Sequence, residues 1–131
     1  MGKFFLQIFA LTVVALSCHK NQASFLPNGH YQGTFQRIVN DTGTVSQVAI
    51  NFTNSNYSGE SEYAKYPAIC NGSFSGLGSD SINFSNACAW TAEFDWSFIL
   101  NGHYKIVASG KNLQISRSFA TYSDIYSLTK Q

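Results

Sequence analysis

The chain has 131 residues, which suits one small domain, with 11% charged residues, 15% aromatic residues and a formal net charge of +1. An average soluble protein is about 25% charged. The shortage of clustered Lys and Arg excludes a phosphate-neutralising nucleic-acid binder, the aromatics exclude a disordered chain, and Ala, Leu, Glu and Lys are too few for a helical bundle.

Lys3 opens a short positive stretch, and Phe4 to Leu16 is an apolar run. It falls short of the roughly 20 residues that cross a bilayer and fits the h-region of an export signal. The run ends in Ala15-Leu16-Ser17-Cys18, which resembles the lipobox of bacterial lipoproteins. That resemblance implies cleavage before Cys18 and acylation of its thiol, with anchoring to a membrane but no span. Ordinary small-x-small cleavage at the same bond is the alternative, and it gives a soluble secreted protein. The cysteine count bears on the choice. With Cys18 acylated, Cys70 and Cys88 are left to pair in an oxidising compartment; without acylation a stray thiol remains. The organisation expected is a signal at 1–17, a polar tether at 18–26 and one domain at 27–131. His19 adjoins the anchor and takes no metal or catalytic role.

From Gly29 onward the apolar pattern has period two, punctuated by turn residues. Opposed residues of an antiparallel pair share a face, so a correct register sets apolar against apolar. A four-residue loop, Asn40-Asp41-Thr42-Gly43, predicts Phe35 opposite Val48, Gly33 opposite Ile50 and Tyr31 opposite Phe52. A two-residue turn at Asn54-Ser55 brings Phe52 to Tyr57. Glu60 and Glu62 fall on the solvent side and read as solvation rather than acid–base chemistry. Cys70 and Cys88 are symmetric about residue 79, and that register opposes Phe74 to Phe84 and Gly76 to Ile82. It brings the two cysteines within bridging distance. Phe94, Trp96, Phe98 and Leu100 alternate as a further strand, opposing Phe98 to Tyr104 across Gly102. Gly110-Lys111 sets Ile106 opposite Ile115 and Tyr104 opposite Arg117. A last loop, 120–123, sets Arg117 opposite Tyr126. One inward face runs through every pair. The expected fold is all-β: an antiparallel up-and-down meander of 8–9 strands closed into a barrel, with an open β-sandwich as alternative.

Gly29-His30-Tyr31-Gln32-Gly33-Thr34-Phe35, Cys88-Ala89-Trp90 with Phe94-Asp95-Trp96, and Leu113-Gln114-Ile115-Ser116-Arg117 with Tyr126-Ser127-Leu128 carry a resemblance to lipocalin-like (calycin) barrels. The resemblance is in particular to small lipoproteins of the Bacteroidota type. The resemblance implies outer-membrane anchoring and carriage of a small ligand. It also implies an Arg on a late strand that closes the barrel floor against a first-strand aromatic, a role that falls to Arg117. The same residue, with Tyr104, Tyr126, Tyr31, Phe98 and Trp96, is the candidate ligand clamp, because a guanidinium stacks on rings and binds carboxylates.

His30 and His103 lack the further ligands of a zinc site. No nucleophile elbow or phosphate loop is present, so no catalytic residue, metal or cofactor is expected. The inward aromatics are large enough to fill an eight-stranded barrel, while Gly33, Gly59, Gly72 and Gly76 mark a bend or a pocket. Two functions stay open. One is a non-enzymatic carrier of a small apolar or amphipathic ligand. The other is a protein-interaction or structural lipoprotein with a filled barrel, using loops 64–68 and 89–93 with Tyr66 and Trp90. Some lysozyme inhibitors are small barrels of the second kind, and Ser58-Gly59 followed by Tyr63 is similar to their Ser-Gly-x-x-Tyr motif.

Overall fold

The computed structural model describes residues 25–131, so the export signal and Cys18 lie outside the described residues. Eight strands follow in order: β1 (Gly29–Ile38), β2 (Val45–Thr53), β3 (Asn56–Ser61), β4 (Asn71–Gly76), β5 (Ser81–Asn86), β6 (Gly102–Ser109), β7 (Asn112–Ser118) and β8 (Ser123–Lys130). Each pairs antiparallel with its neighbour, and β8 pairs with β1 to close the barrel. Closure leaves no unpaired edge. The all-β meander barrel expected from the alternation is the fold observed, with an even number of strands.

Local turn chemistry explains the registers. Asn54 and Ser55 both have positive φ, 48° and 67°, and Phe52 opposes Tyr57 as expected. Two-residue turns with both central residues left-handed match the strand twist, and Asn suits that conformation. Phe74 opposes Phe84 and Gly76 opposes Ile82, and Cys70 and Cys88 form a disulfide with Cα atoms 6.3 Å apart. Ile106 opposes Ile115 around Gly110, whose φ is +59°.

Two hairpins are corrected, each by two residues. Asn40 and Asp41 themselves form a left-handed two-residue turn, φ 50° and 63°, and the ladder continues to Val39–Thr42. Gly33 therefore opposes Val48, Tyr31 opposes Ile50 and Phe35 opposes Ser46. The last turn is likewise tighter than expected: the Phe119 N–H donates to the Tyr122 carbonyl, so Arg117 opposes Asp124 and Ile115 opposes Tyr126. A shift of two keeps every side chain on its face, which is why the inward pattern survived both errors.

The larger correction concerns residues 94–100, which are not a strand. Asp95 caps a single 3-10 turn, Trp96–Phe98, by accepting from the Ser97 N–H. The backbone of this segment bonds to the β3–β4 loop instead: Ala68 N–H donates to Phe98 O and Leu100 N–H to Ala68 O, both at 3.0 Å. β6 then pairs directly with β5, Ile82 opposite Tyr104.

Inside, rings touch from one end of the barrel to the other, through Phe98, Phe35, Tyr126, Tyr104, Phe84, Phe52 and Tyr31, with centroids 4.8–6.4 Å apart. Val48, Ile50, Phe74, Ile106, Leu113 and Leu128 fill between them. The inward glycines mark close strand contact rather than a pocket. A Cβ on Gly33 would lie 1.9 Å from the Ser127 carbonyl oxygen, and one on Gly72 would lie 2.1 Å from that of Ser85.

Candidate functional site

With eight strands, β1, β3, β5 and β7 all end at one rim, here the upper end. The connections there are the turn at 39–44, the loops at 62–70 and 87–101, and the turn at 119–122. Beneath them lies a charged cluster. Arg37 is two residues beyond Phe35, Arg117 two beyond Ile115, and Asp124 two before Tyr126, so strand alternation turns all three inward. Arg37 and Asp124 are only 7% and 1% exposed.

The Asp124 carboxylate accepts from Arg37 Nε at 2.7 Å and Nη2 at 2.8 Å, and from Arg117 Nε at 3.1 Å. Arg37 also donates to the Ser97 hydroxyl and carbonyl, and Arg117 to the carbonyls of Asn101 and Ser97. The Arg37 guanidinium lies between the rings of Phe98 and Tyr122, 3.7 Å and 3.9 Å from their centroids. Arg117 lies 4.5 Å from the centroid of Tyr104. Burial opposes the charge on Arg37, but its hydrogen bonds to Asp124 and the charge of that carboxylate outweigh the burial and hold the guanidinium above its ordinary value. Every guanidinium nitrogen thus meets a protein acceptor, stacked on aromatic faces as suits Arg. The arrangement seals the upper end of the barrel; it leaves neither arginine free to clamp a ligand carboxylate.

The six sequence-selected residues divide. Arg117, Tyr104 and Tyr126 come together at the seal, with Tyr104–Tyr126 centroids 6.1 Å apart. Phe98 joins them from the loop, stacked on Arg37. Trp96 does not face inward: it is 56% exposed. Tyr31 lies at the opposite end, where β1 begins beside Lys130 of β8. The expected contact between Arg117 and a first-strand aromatic at Tyr31 is therefore corrected, and the cause is the supposed strand at 94–100. An extra strand reverses the direction of everything after it, so it assigned Arg117 to the wrong rim. Arg37 shares the inward parity of Arg117 but stands near a loop in the sequence and was set aside for that; Asp124 was missed. The signal that finds them is the alternation itself, which places Arg37 with Phe35 and Asp124 with Tyr126.

Burial also moves the tyrosines. It pushes the Tyr57 hydroxyl up to about 12 and raises Tyr104 and Tyr126 further above the ordinary value. Tyr57 donates to the Leu100 carbonyl at 2.9 Å, which ties the long loop to β3.

Above the seal the two long loops are joined. Lys65 Nζ donates to Glu93 and to the Thr91 hydroxyl, both at 3.1 Å, and lies 4.9 Å from the centroid of Phe94. The disulfide clamps the bases of the same loops. Hydrogen bonds from the Thr91 hydroxyl, then Lys65, bring the Glu93 carboxyl down to about 2. The Ser97 side chain and backbone hold Asp95 below its ordinary value. Tyr66 and Trp90 are half-buried in this layer, while Tyr63, Trp96 and Phe119 are exposed on it. Between Asn86, Trp90, Trp96, Ile99 and Asn101 runs an open groove of about 430 Å³.

Elsewhere the polar candidates are ordinary surface. Glu60 and Glu62 line a shallow outer depression with Gln32 and Gln47. His30 hydrogen-bonds Asn51, and His103 is exposed. Ser58 faces solvent midway along β3, while Tyr63 stands in the upper loop. No group of three or more His, Cys, Asp or Glu is placed to hold a metal among the described residues. Comparison with known proteins gave no match: no family model, no curated protein and no solved structure matches this chain.

Proposed function

We propose that the chain is a lipid-anchored cell-envelope protein of the outer membrane, held by acylated Cys18, and that it is a non-enzymatic binding module whose ligand meets the upper loops rather than the barrel interior. The observation that carries this reading is the filled barrel. Rings run in contact from Phe98 to Tyr31, and the Arg37–Asp124–Arg117 cluster closes the end through which a ligand would enter. A small apolar ligand inside would have to displace that packing, which is close to crystalline in protein interiors. The disulfide supports export, since such bonds persist in oxidising compartments. The seven residues from Cys18 to Ser24 lead to Phe25 and the lower end, so an anchor there would leave the upper loops facing away from the membrane.

Native mass spectrometry of the full chain from its own host's membranes tests the reading. The expected mass carries covalent acyl chains, lost in Cys18→Ser, with no non-covalent lipid. A retained lipid that exchanges for an added fatty acid would return the function to the barrel interior, and an unacylated Cys18 would remove the anchor.

A further inference from the structure

We infer that the groove between Trp90 and Trp96 is a saccharide site, which takes a neutral sugar chain against the indole faces. The inference rests on the reading that ligands meet the upper loops, and it names the ligand class.

The groove has the size of a small-ligand site, about 430 Å³ against a usual range of roughly 300–1,000 Å³. Its lining combines two indoles, Ile99, and the amides of Asn86 and Asn101, with no charged side chain. Both indoles are fixed by their own N–H groups. Trp96 Nε1 donates to the Thr91 carbonyl at 2.8 Å, and Trp90 Nε1 to the Asn86 side-chain oxygen at 3.2 Å. Their polar edges are therefore spent and their faces remain. Trp90 is further set by edge contact with Phe94, centroids 5.7 Å apart. The Asp95-capped turn and the Cys70–Cys88 bridge hold the two sides of the groove. A platform that is rigid before binding loses little entropy on binding.

The chemistry of the partner follows from what this surface offers. An indole face stacks on a flat apolar surface. The Asn101 side chain accepts from the Asn86 N–H at 2.9 Å, and its amide N–H₂ has no protein partner among the described residues, which leaves it free to donate to a hydroxyl or acetamido oxygen. A pyranose ring presents both an apolar C–H face and a rim of hydroxyls. An anionic ligand is disfavoured, because no charged side chain lines the groove to receive it, and the nearby cations Lys65 and Arg37 are engaged with Glu93 and Asp95. Nucleobases would stack, but their phosphates would find no basic track along the groove.

Trp90 and Trp96 are the two tryptophans of the whole chain, so fluorescence excited selectively at the indoles, beyond the absorption of the seven tyrosines, reports on this groove. The full chain, held in a detergent without a sugar headgroup, is titrated with chitotriose, cellotriose and maltotriose, and with trigalacturonic acid as the anionic counterpart. At least one neutral trisaccharide is expected to give a saturable change in emission, and the acid to bind at least tenfold more weakly. By calorimetry, Trp96→Ala is expected to weaken that binding at least tenfold. Val107→Ala, on the exposed outer wall of β6, is expected to leave it unchanged. Trp96→Phe keeps an aromatic face and should retain part of the affinity, which separates lost stacking from a collapsed loop. No response to any of the three neutral sugars, equal binding of the acid, or undiminished binding by Trp96→Ala would overturn the inference. If those sugars fail while the native protein still carries no exchangeable lipid, the saccharide assignment falls and the filled-barrel reading stands.

Discussion

The two ends of the barrel are built on different principles. At the lower end the strands are joined by tight connections, Asn54-Ser55, residues 77–80 and Gly110-Lys111, and Tyr31, Phe52, Phe74 and Leu113 pack beneath them as hydrocarbon. At the upper end long loops cross the rim, and what lies beneath is an ion cluster wrapped in rings. Apolar packing tolerates adjustment, because a lost contact costs in proportion to the volume removed. A buried charge does not, because removing one partner strands the other in a medium that cannot solvate it. The comparison teaches that the end carrying the loops is the one whose geometry is least free to drift.

That contrast can be broken in order of effect. Asp124→Asn leaves two guanidinium groups without their counter-charge and is expected to cost about 3–5 kcal/mol in urea unfolding; a loss below about 1 kcal/mol would make the two ends energetically alike. Reducing the upper-end disulfide, or Cys70→Ser with Cys88→Ser, opens a link across a sequence separation of 18 and should cost about 3 kcal/mol. Trp96 emission should shift in the same variant if the bridge holds the groove.

Alkaline pH probes the tyrosines that connect seal and core. Tyr57, Tyr104 and Tyr126 keep their protons longer folded than unfolded. The neutral form therefore contributes its full stability below the unfolded value of about 10 and loses it as pH rises through the folded value. For Tyr57 that window runs from about 10 to about 12, so Tm should fall by several degrees between pH 9 and pH 11, and Tyr57→Phe should shrink the fall. A flat profile would show that these hydroxyls are hydrated in the fold. The smallest effect belongs to the exposed lower turn: Lys111→Ala should change stability by less than about 0.5 kcal/mol, and a larger loss would reveal a role the lower end is not credited with.

Much of the barrel was legible because a strand's face is written in every second residue. Phe74 opposite Phe84, Cys70 bridged to Cys88 and Ile106 opposite Ile115 all followed from that alternation. The misses share a cause. Periodicity records the face but not the length of a turn, so the hairpins at Asn40-Asp41 and Ala120-Thr121 were each displaced by two residues. It also cannot tell a strand from a loop whose aromatics dip inward. Phe98 and Leu100 do point into the protein, but the backbone leading into Phe98 follows a 3-10 turn, Trp96–Phe98, capped by Asp95. Asp124 escaped because an acidic residue beside a turn looks solvated. Its burial depends on Arg37, which is 87 residues away in sequence.

The Arg37–Asp124 pair also bears on how the barrel finds its closing alignment. Seven of its eight seams are drawn together by the segment linking consecutive strands; β1 and β8 meet without one, across nearly the whole domain. Along that seam a slip of two residues would preserve every inward and outward face, so hydrophobicity alone would accept it. Charge would not. With Arg37 opposite Asp124 the ions satisfy each other, whereas two residues either way Arg37 would face Tyr126 or Tyr122 and the acid would lose its main donor. The cluster that seals the upper end thus doubles as a registration mark, permitting one closure of the cylinder among several that its apolar pattern would allow.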